Sequence, residues 1–148
     1  MRLGRLKFAT IEEKPEFKFG KGQVLKEGKD ITIIACGILV NDALIAAKDL
    51  EKEGIAARVI NIHTIKPLDA QIIIKAAGET KGILVCEEHT VVGGLASAID
   101  EVAAENCPTR VLRIGVKNRF GQSGEPVELL NEYGLDVAHI LKTAKMLL

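Results

Sequence analysis

The chain has 148 residues, the size of one compact domain, and 47% hydrophobic against 27% charged residues supply both a core and a solvated surface. Lys plus Arg and Asp plus Glu each total 20, a balance that argues against an electrostatic partner such as nucleic acid or a membrane surface. No run approaches the roughly 18–20 apolar residues of a membrane span, and the charged start MRLGRLKFATIEEKPEF is not a signal peptide, so a cytoplasmic protein is expected.

Residues 1–22 read as an arm, mixing charge, Pro15 and the glycines Gly4, Gly20 and Gly22. The arm holds Phe8, Phe17 and Phe19, three of the four phenylalanines, which lie either on another surface or on this domain's own core edge. A short strand is expected at 22–25. Lys26-Glu27-Gly28-Lys29-Asp30 reads as a hairpin turn, with Gly28 supplying positive φ. The apolar run 31–36 suits a strand covered on both faces, ended by Gly37.

A helix is expected over 40–52, from the stripe Ala43, Leu44, Ala47 and Leu50, with Gly54 as its stop. Strand 57–62 follows. Asp69 is placed to cap the next helix, which runs to about residue 77. Strand 83–86 leads into Glu87-Glu88-His89 and Gly93-Gly94, which open a helix over 94–106. Strand 110–116 gives way to a polar, Gly-rich loop over 117–124. A short helix begins at Glu125-Pro126, Gly134 ends it, and Asp136 caps a last helix.

Alternating strands and helices imply an α/β fold: a three-layer α/β/α sandwich on a five-stranded, mostly parallel sheet with one antiparallel edge strand. The tight first turn places that edge strand beside the second strand. Two units result, an arm over 1–22 and a domain over 23–148.

In such sheets ligands and partners meet the carboxyl ends of the strands, which puts Gly37, Glu88, His89, Gly93 and Gly94 at a candidate anion, regulatory or interdomain site. Gly93-Gly94 at a helix start either holds a phosphate or carboxylate or is a tight turn that lets the helix pack closely on the sheet. Glu87, Glu88 and His89 offer acid–base groups, but neighbours on an extended segment point opposite ways, so the glutamates do not act as a pair. Lys66 is a phosphate ligand or a solvated charge. Arg113, Lys117, Asn118 and Arg119, with the loop over 120–124, contact an anionic substrate or a partner domain. His63, His89 and His139 show no metal-ligand spacing, and Cys36, Cys86 and Cys107 read as small thiols in a reducing compartment. No catalytic, cofactor-binding or metal residue can be assigned, and His139 reads as a surface residue.

Taken together, GKGQVLKEGKDITIIA, VINIHTIKPLD, EEH with GGL, IGVKNRFGQSG and LLNEYGL resemble the C-terminal domain of transketolase-type thiamine diphosphate enzymes, over nearly the whole chain. Single motifs recur in deoxyxylulose-phosphate synthase and in the β subunit of 2-oxo acid dehydrogenases. His89, where the synthases carry asparagine, and the form Phe120-Gly121-Gln122-Ser123-Gly124 favour transketolase. Asn118 stands where an aspartate is expected.

The resemblance implies a two-carbon ketol transferase of the pentose phosphate pathway, in which this domain assembles and does not catalyse. Thiamine diphosphate and Mg²⁺ would lie between a pyrophosphate and a pyrimidine domain, on the same or a separate chain, in a homodimer. Arg2-Leu3-Gly4-Arg5 resembles the exit from the preceding domain, which fits a fragment or one chain of a split enzyme. Two other readings stay open: a stand-alone module binding a phosphorylated metabolite, and, further off, an enzyme using Glu88 and His89.

Overall fold

The computed structural model describes Ile11 and residues 16–148. Phe8, Pro15, Gly4 and the motif at 2–5 lie outside the described residues. Ten elements follow in order: β1 (Gln23–Lys26), β2 (Ile31–Ala35), α1 (Leu39–Lys52), β3 (Ala57–Asn61), α2 (Ala70–Glu79), β4 (Ile83–Thr90), α3 (Leu95–Asn106), β5 (Val111–Val116), α4 (Pro126–Glu132) and α5 (Val137–Lys145). This is the expected succession, with β4 running on through the polar residues to Thr90. No described helix is long and apolar enough to cross a membrane.

The sheet order is β1-β3-β2-β4-β5. β2, β3, β4 and β5 are parallel, and β1 is the antiparallel edge. The expected hairpin is corrected here, because β1 pairs with β3 and not with β2. Both sides of β2 are taken by the parallel strands β3 and β4, so the β1–β2 connection crosses the start of β3 instead. Two bonds fix that crossing: Asp30 N–H donates to Ala56 O at 3.0 Å, and Ala56 N–H donates to Asp30 Oδ2 at 2.7 Å. Gly28 does not take positive φ; it is needed because a Cβ there would overlap the backbone of Ala57 and Arg58.

β2 is buried along its whole length, as its unbroken apolar run requires. Ile31, Ile33 and Ala35 face a core closed by α1 and α5, while Ile34 faces a second core closed by α2 and α3. These are the two outer layers of the sandwich. Truncating one of the fully buried isoleucines to alanine would cost about 2–5 kcal/mol. α1 and α5 run side by side, tied at their carboxyl ends by Lys145 Nζ and Glu53 Oε2 at 2.6 Å. Gly54, at φ +82°, ends α1 as its position in the sequence requires.

From β2 the chain crosses by α1 to β3; from β4 it crosses by α3 to β5, on the other face and in the other direction. The carboxyl ends of β2 and β4 therefore flank the point where the winding reverses, the usual crevice of an open α/β sheet.

Candidate functional site

Gly37 follows β2, and Glu88, His89, Gly93 and Gly94 lie in and after β4, so adjacent parallel strands bring the five to the carboxyl end of the sheet. Gly37 and Gly93 take φ of +60° and +75° with open space around them. Glu88 and His89 are exposed, and His89 Nδ1 lies 3.1 Å from Thr90 O.

Glu87 behaves otherwise. Strand alternation turns it inward, where it is 3% exposed. Its Oε2 accepts the amide of Leu95 at 2.9 Å and its Oε1 that of Ala96 at 3.1 Å. A buried carboxylate thus caps the start of α3, where the helix presents unpaired N–H groups and positive potential. The same position that could hold an outside anion is filled by the chain's own. Gly94 is the N-cap, and a Cβ there would overlap both Glu87 oxygens, so the second glycine serves close packing. Gly93 N–H donates to Ser97 Oγ at 3.0 Å.

Arg113 is committed to structure. It donates to Val91 O at 2.7 Å and pairs with Asp100 of α3, tying the segment after β4 to that helix. Asp69 stands at the N-cap of α2 but its side chain does not cap it. Its carboxylate instead accepts Gly22 N–H at 3.1 Å and lies 3.5 Å from Lys21 Nζ, fastening the end of the arm. Lys66 is exposed. Phe17 stacks on His63 with ring centroids 4.6 Å apart yet stays 66% exposed, and Phe19 is 72% exposed.

On the opposite side of the crevice α1 and α5 begin. Asp136 caps α5, accepting His139 N–H at 2.8 Å. Burial alone would raise its pKa, but the His139 amide, the His139 ring and the Ala138 amide together hold it below the usual value. Asp42, in the first turn of α1, is pushed up by burial and then by the Asp136 charge. Burial, with Cys36 and Asp42 nearby, raises the Cys86 thiol, which makes it a core group and not a nucleophile. Among the described residues, no three His, Cys, Asp or Glu side chains converge as a metal-binding group.

Large apolar side chains stand exposed in the loops that follow three parallel strands: Ile65 after β3, Val92 after β4 and Phe120 after β5, the last 97% exposed. Val127 at the start of α4 is exposed as well. In the sequence the loop after β5 stands out for its charge; the apolar character it shares with the other two emerges only when the strands are aligned.

The chain is thus a doubly wound α/β sandwich with exposed apolar side chains at its strand ends and a start of α3 that its own Glu87 satisfies. Residues 20–140 match the family model "Transketolase, C-terminal domain", and the chain belongs to that family. It is 42% identical over 132 residues to the 6-deoxy-6-sulfo-D-fructose transketolase subunit of a Clostridium species, covering 89% of this chain and 41% of the relative. It is 40% identical over 146 residues to an apulose-4-phosphate transketolase subunit of Phocaeicola vulgatus, covering 97% and 46%. With the 1-deoxy-D-xylulose-5-phosphate synthase of Heliobacterium modesticaldum it shares 41% over 137 residues, covering 92% and 21%. A solved split-gene transketolase, described as an inactive β4 tetramer, superposes with a TM-score of 0.85 at 45% identity, covering 89% of this chain and 43% of that one. The chain spans less than half the length of each of these relatives.

Proposed function

We propose that this chain is the assembly domain of a transketolase, an enzyme moving a two-carbon ketol unit between sugar phosphates in the pentose phosphate pathway of the cytoplasm. The complete enzyme is a dimer. Residues 23–148 dock on the pyrimidine and pyrophosphate domains, carried on the same or a separate chain. The strand-end surface around Gly37, Glu88, His89, Gly93 and Gly94 forms part of that contact.

The observation carrying this reading is that Ile65, Val92 and Phe120 stand exposed beyond the carboxyl ends of the parallel strands β3, β4 and β5, which lie in one sheet with β2 between β3 and β4. Such a patch marks a surface that another protein part covers. Relatives named as transketolase subunits, of which this chain spans 41% and 46%, favour transketolase over the synthase, of which it spans 21%.

Thiamine diphosphate and Mg²⁺ belong, in this reading, to the other two domains. The residues here do not fit a diphosphate at the start of α3: the Leu95 and Ala96 amides are taken by Glu87, whose carboxylate also fills the space over Gly94. The test has two arms. Calorimetry of the chain with thiamine diphosphate and Mg²⁺ is expected to show no heat of binding. Ketol transfer between sugar phosphates is expected only when a chain bearing the other two domains is added. Stoichiometric cofactor binding, or transfer by this chain alone, would overturn the proposal.

A further inference from the structure

Beside β5, towards α4 and α5, lies a cleft of about 350 Å³, within the size range of small-molecule sites. Its walls include Ile114, Lys117, Arg119, Tyr133, His139 and Thr143. The crevice at Gly93 is a different place; this cleft opens at the far edge of the sheet.

The wall is cationic, and Arg119 and His139 on it are held in position. Asn118, at φ +39°, makes a tight turn closed by its N–H to Val116 O at 3.0 Å. That turn sends Lys117 and Arg119, on either side of it, to the same cleft. The Arg119 guanidinium carbon sits 4.2 Å from the Tyr133 ring centroid. Its Nη2 donates to Glu132 O at 2.9 Å and its Nη1 to Glu132 Oε1 at 3.3 Å, which leaves part of the guanidinium fork without a partner among the described residues.

Among the described residues Glu132 is the one acid on the wall, and it is already engaged by Arg119. Lys117 is exposed and makes no ion pair among the described residues. His139 is fixed through Nδ1 to Asp136 Oδ2 at 2.9 Å, and Gly134, at φ +68°, leaves room for its ring. Arg113 borders the cleft but is spent on Asp100 and Val91.

From this geometry we propose that the cleft binds a small phosphate ester. The phosphate meets the fork of Arg119 and the point charge of Lys117, the pairing that suits a dianion with several acceptor oxygens. The rest of the molecule lies along Tyr133, Ile114 and the Thr143 hydroxyl. Because Arg119 is already stacked on Tyr133 and bonded to Glu132, it loses little side-chain freedom on binding, while Lys117 is ordered by the phosphate itself. The inference does not rest on the assembly role, so either can fail without the other.

The test is an amide chemical-shift titration of the full chain with a pentose phosphate, inorganic phosphate and the free pentose. Saturable shifts are expected with the pentose phosphate at roughly millimolar concentration or below, confined to 117–120, 133–134 and 139. Inorganic phosphate should bind more weakly and the free pentose not at all. Lys117→Glu should weaken the pentose phosphate at least tenfold while leaving distant amides unmoved. Shifts that grow without saturating, equal binding by inorganic phosphate, or an unchanged affinity in Lys117→Glu would each overturn the proposal.

Discussion

The Glu87 carboxylate closes over Gly94, bonding the amides of Leu95 and Ala96 in the space a side chain at 94 would need. Hydrogen bonds to a buried charged group contribute about 1.5–3 kcal/mol. Glu87→Ala should therefore lower stability by about 2–3 kcal/mol in urea unfolding, with Glu87→Gln intermediate. Gly94→Ala should cost about 1–3 kcal/mol by overpacking. The two are coupled: in the Glu87→Ala background the space over residue 94 is vacated, so Gly94→Ala should cost markedly less. Strict additivity in that cycle would contradict the geometry.

Gly28 supplies a second test. Its hydrogen faces the backbone of Ala57 and Arg58, where no flexible side-chain end can move aside. Gly28→Ala should cost about 3 kcal/mol or more. Gly37→Ala, at positive φ but in open space, should cost only about 1 kcal/mol. Had the connection been a hairpin with Gly28 at positive φ, the two glycines would be equally sensitive, and chemical denaturation of both variants separates the cases.

What the sequence made legible follows the range of the interaction concerned. Element order, the two-sided burial of β2, the stop at Gly54 and the Asp136 cap depend on periodicity or on neighbours within a turn. The opposite facing of Glu87 and Glu88 followed from strand alternation alone. The pairing of β1 was not legible, because a five-residue charged turn looks alike whether the chain doubles back or crosses the next strand's start. Glu87 capping α3 and Asp69 holding Gly22 are bonds across 8 and 47 residues, outside any local capping pattern. The cleft at Lys117 and Arg119 was half visible: the charges stood in the sequence, but Tyr133 and His139 join them only through the fold.

Asp42 and Asp136 make the α1–α5 junction sensitive to pH in opposite senses. Asp136, held below its usual pKa, supports the fold above the ordinary carboxylate range, and that support is lost as pH falls through its folded value. Asp42 is raised, so its contribution is full at low pH and is lost as pH rises through its folded value. Asp42→Asn should then raise the unfolding midpoint at neutral pH, and the gain should shrink on acidification. Asp136→Ala should lose about 1 kcal/mol at neutral pH through the cap alone. Melting curves of both variants across the acid range would test the signs; a constant gain for Asp42→Asn at every pH would refute the assignment.

Phe120 separates assembly from folding. The residue is 97% exposed, and its loop is held at the backbone, where Tyr133 Oη donates to Phe120 O at 3.3 Å. Truncating the ring touches no core contact, so Phe120→Ala should change stability by less than about 0.5 kcal/mol. Aromatic anchors at interfaces are worth about 2 kcal/mol or more, so the same change should weaken association with the cofactor-bearing domains roughly 30-fold. Sedimentation or calorimetric titration of the two parts measures this directly, with Ile45→Ala on the outer side of α1 as the control, since Ile45 is 40% exposed but sits away from the strand ends. Loss of association in Phe120→Ala but not in Ile45→Ala would assign the strand-end surface to the contact. Equal behaviour of the two would move the contact elsewhere on the domain, because the exposed ring would then have no covering partner.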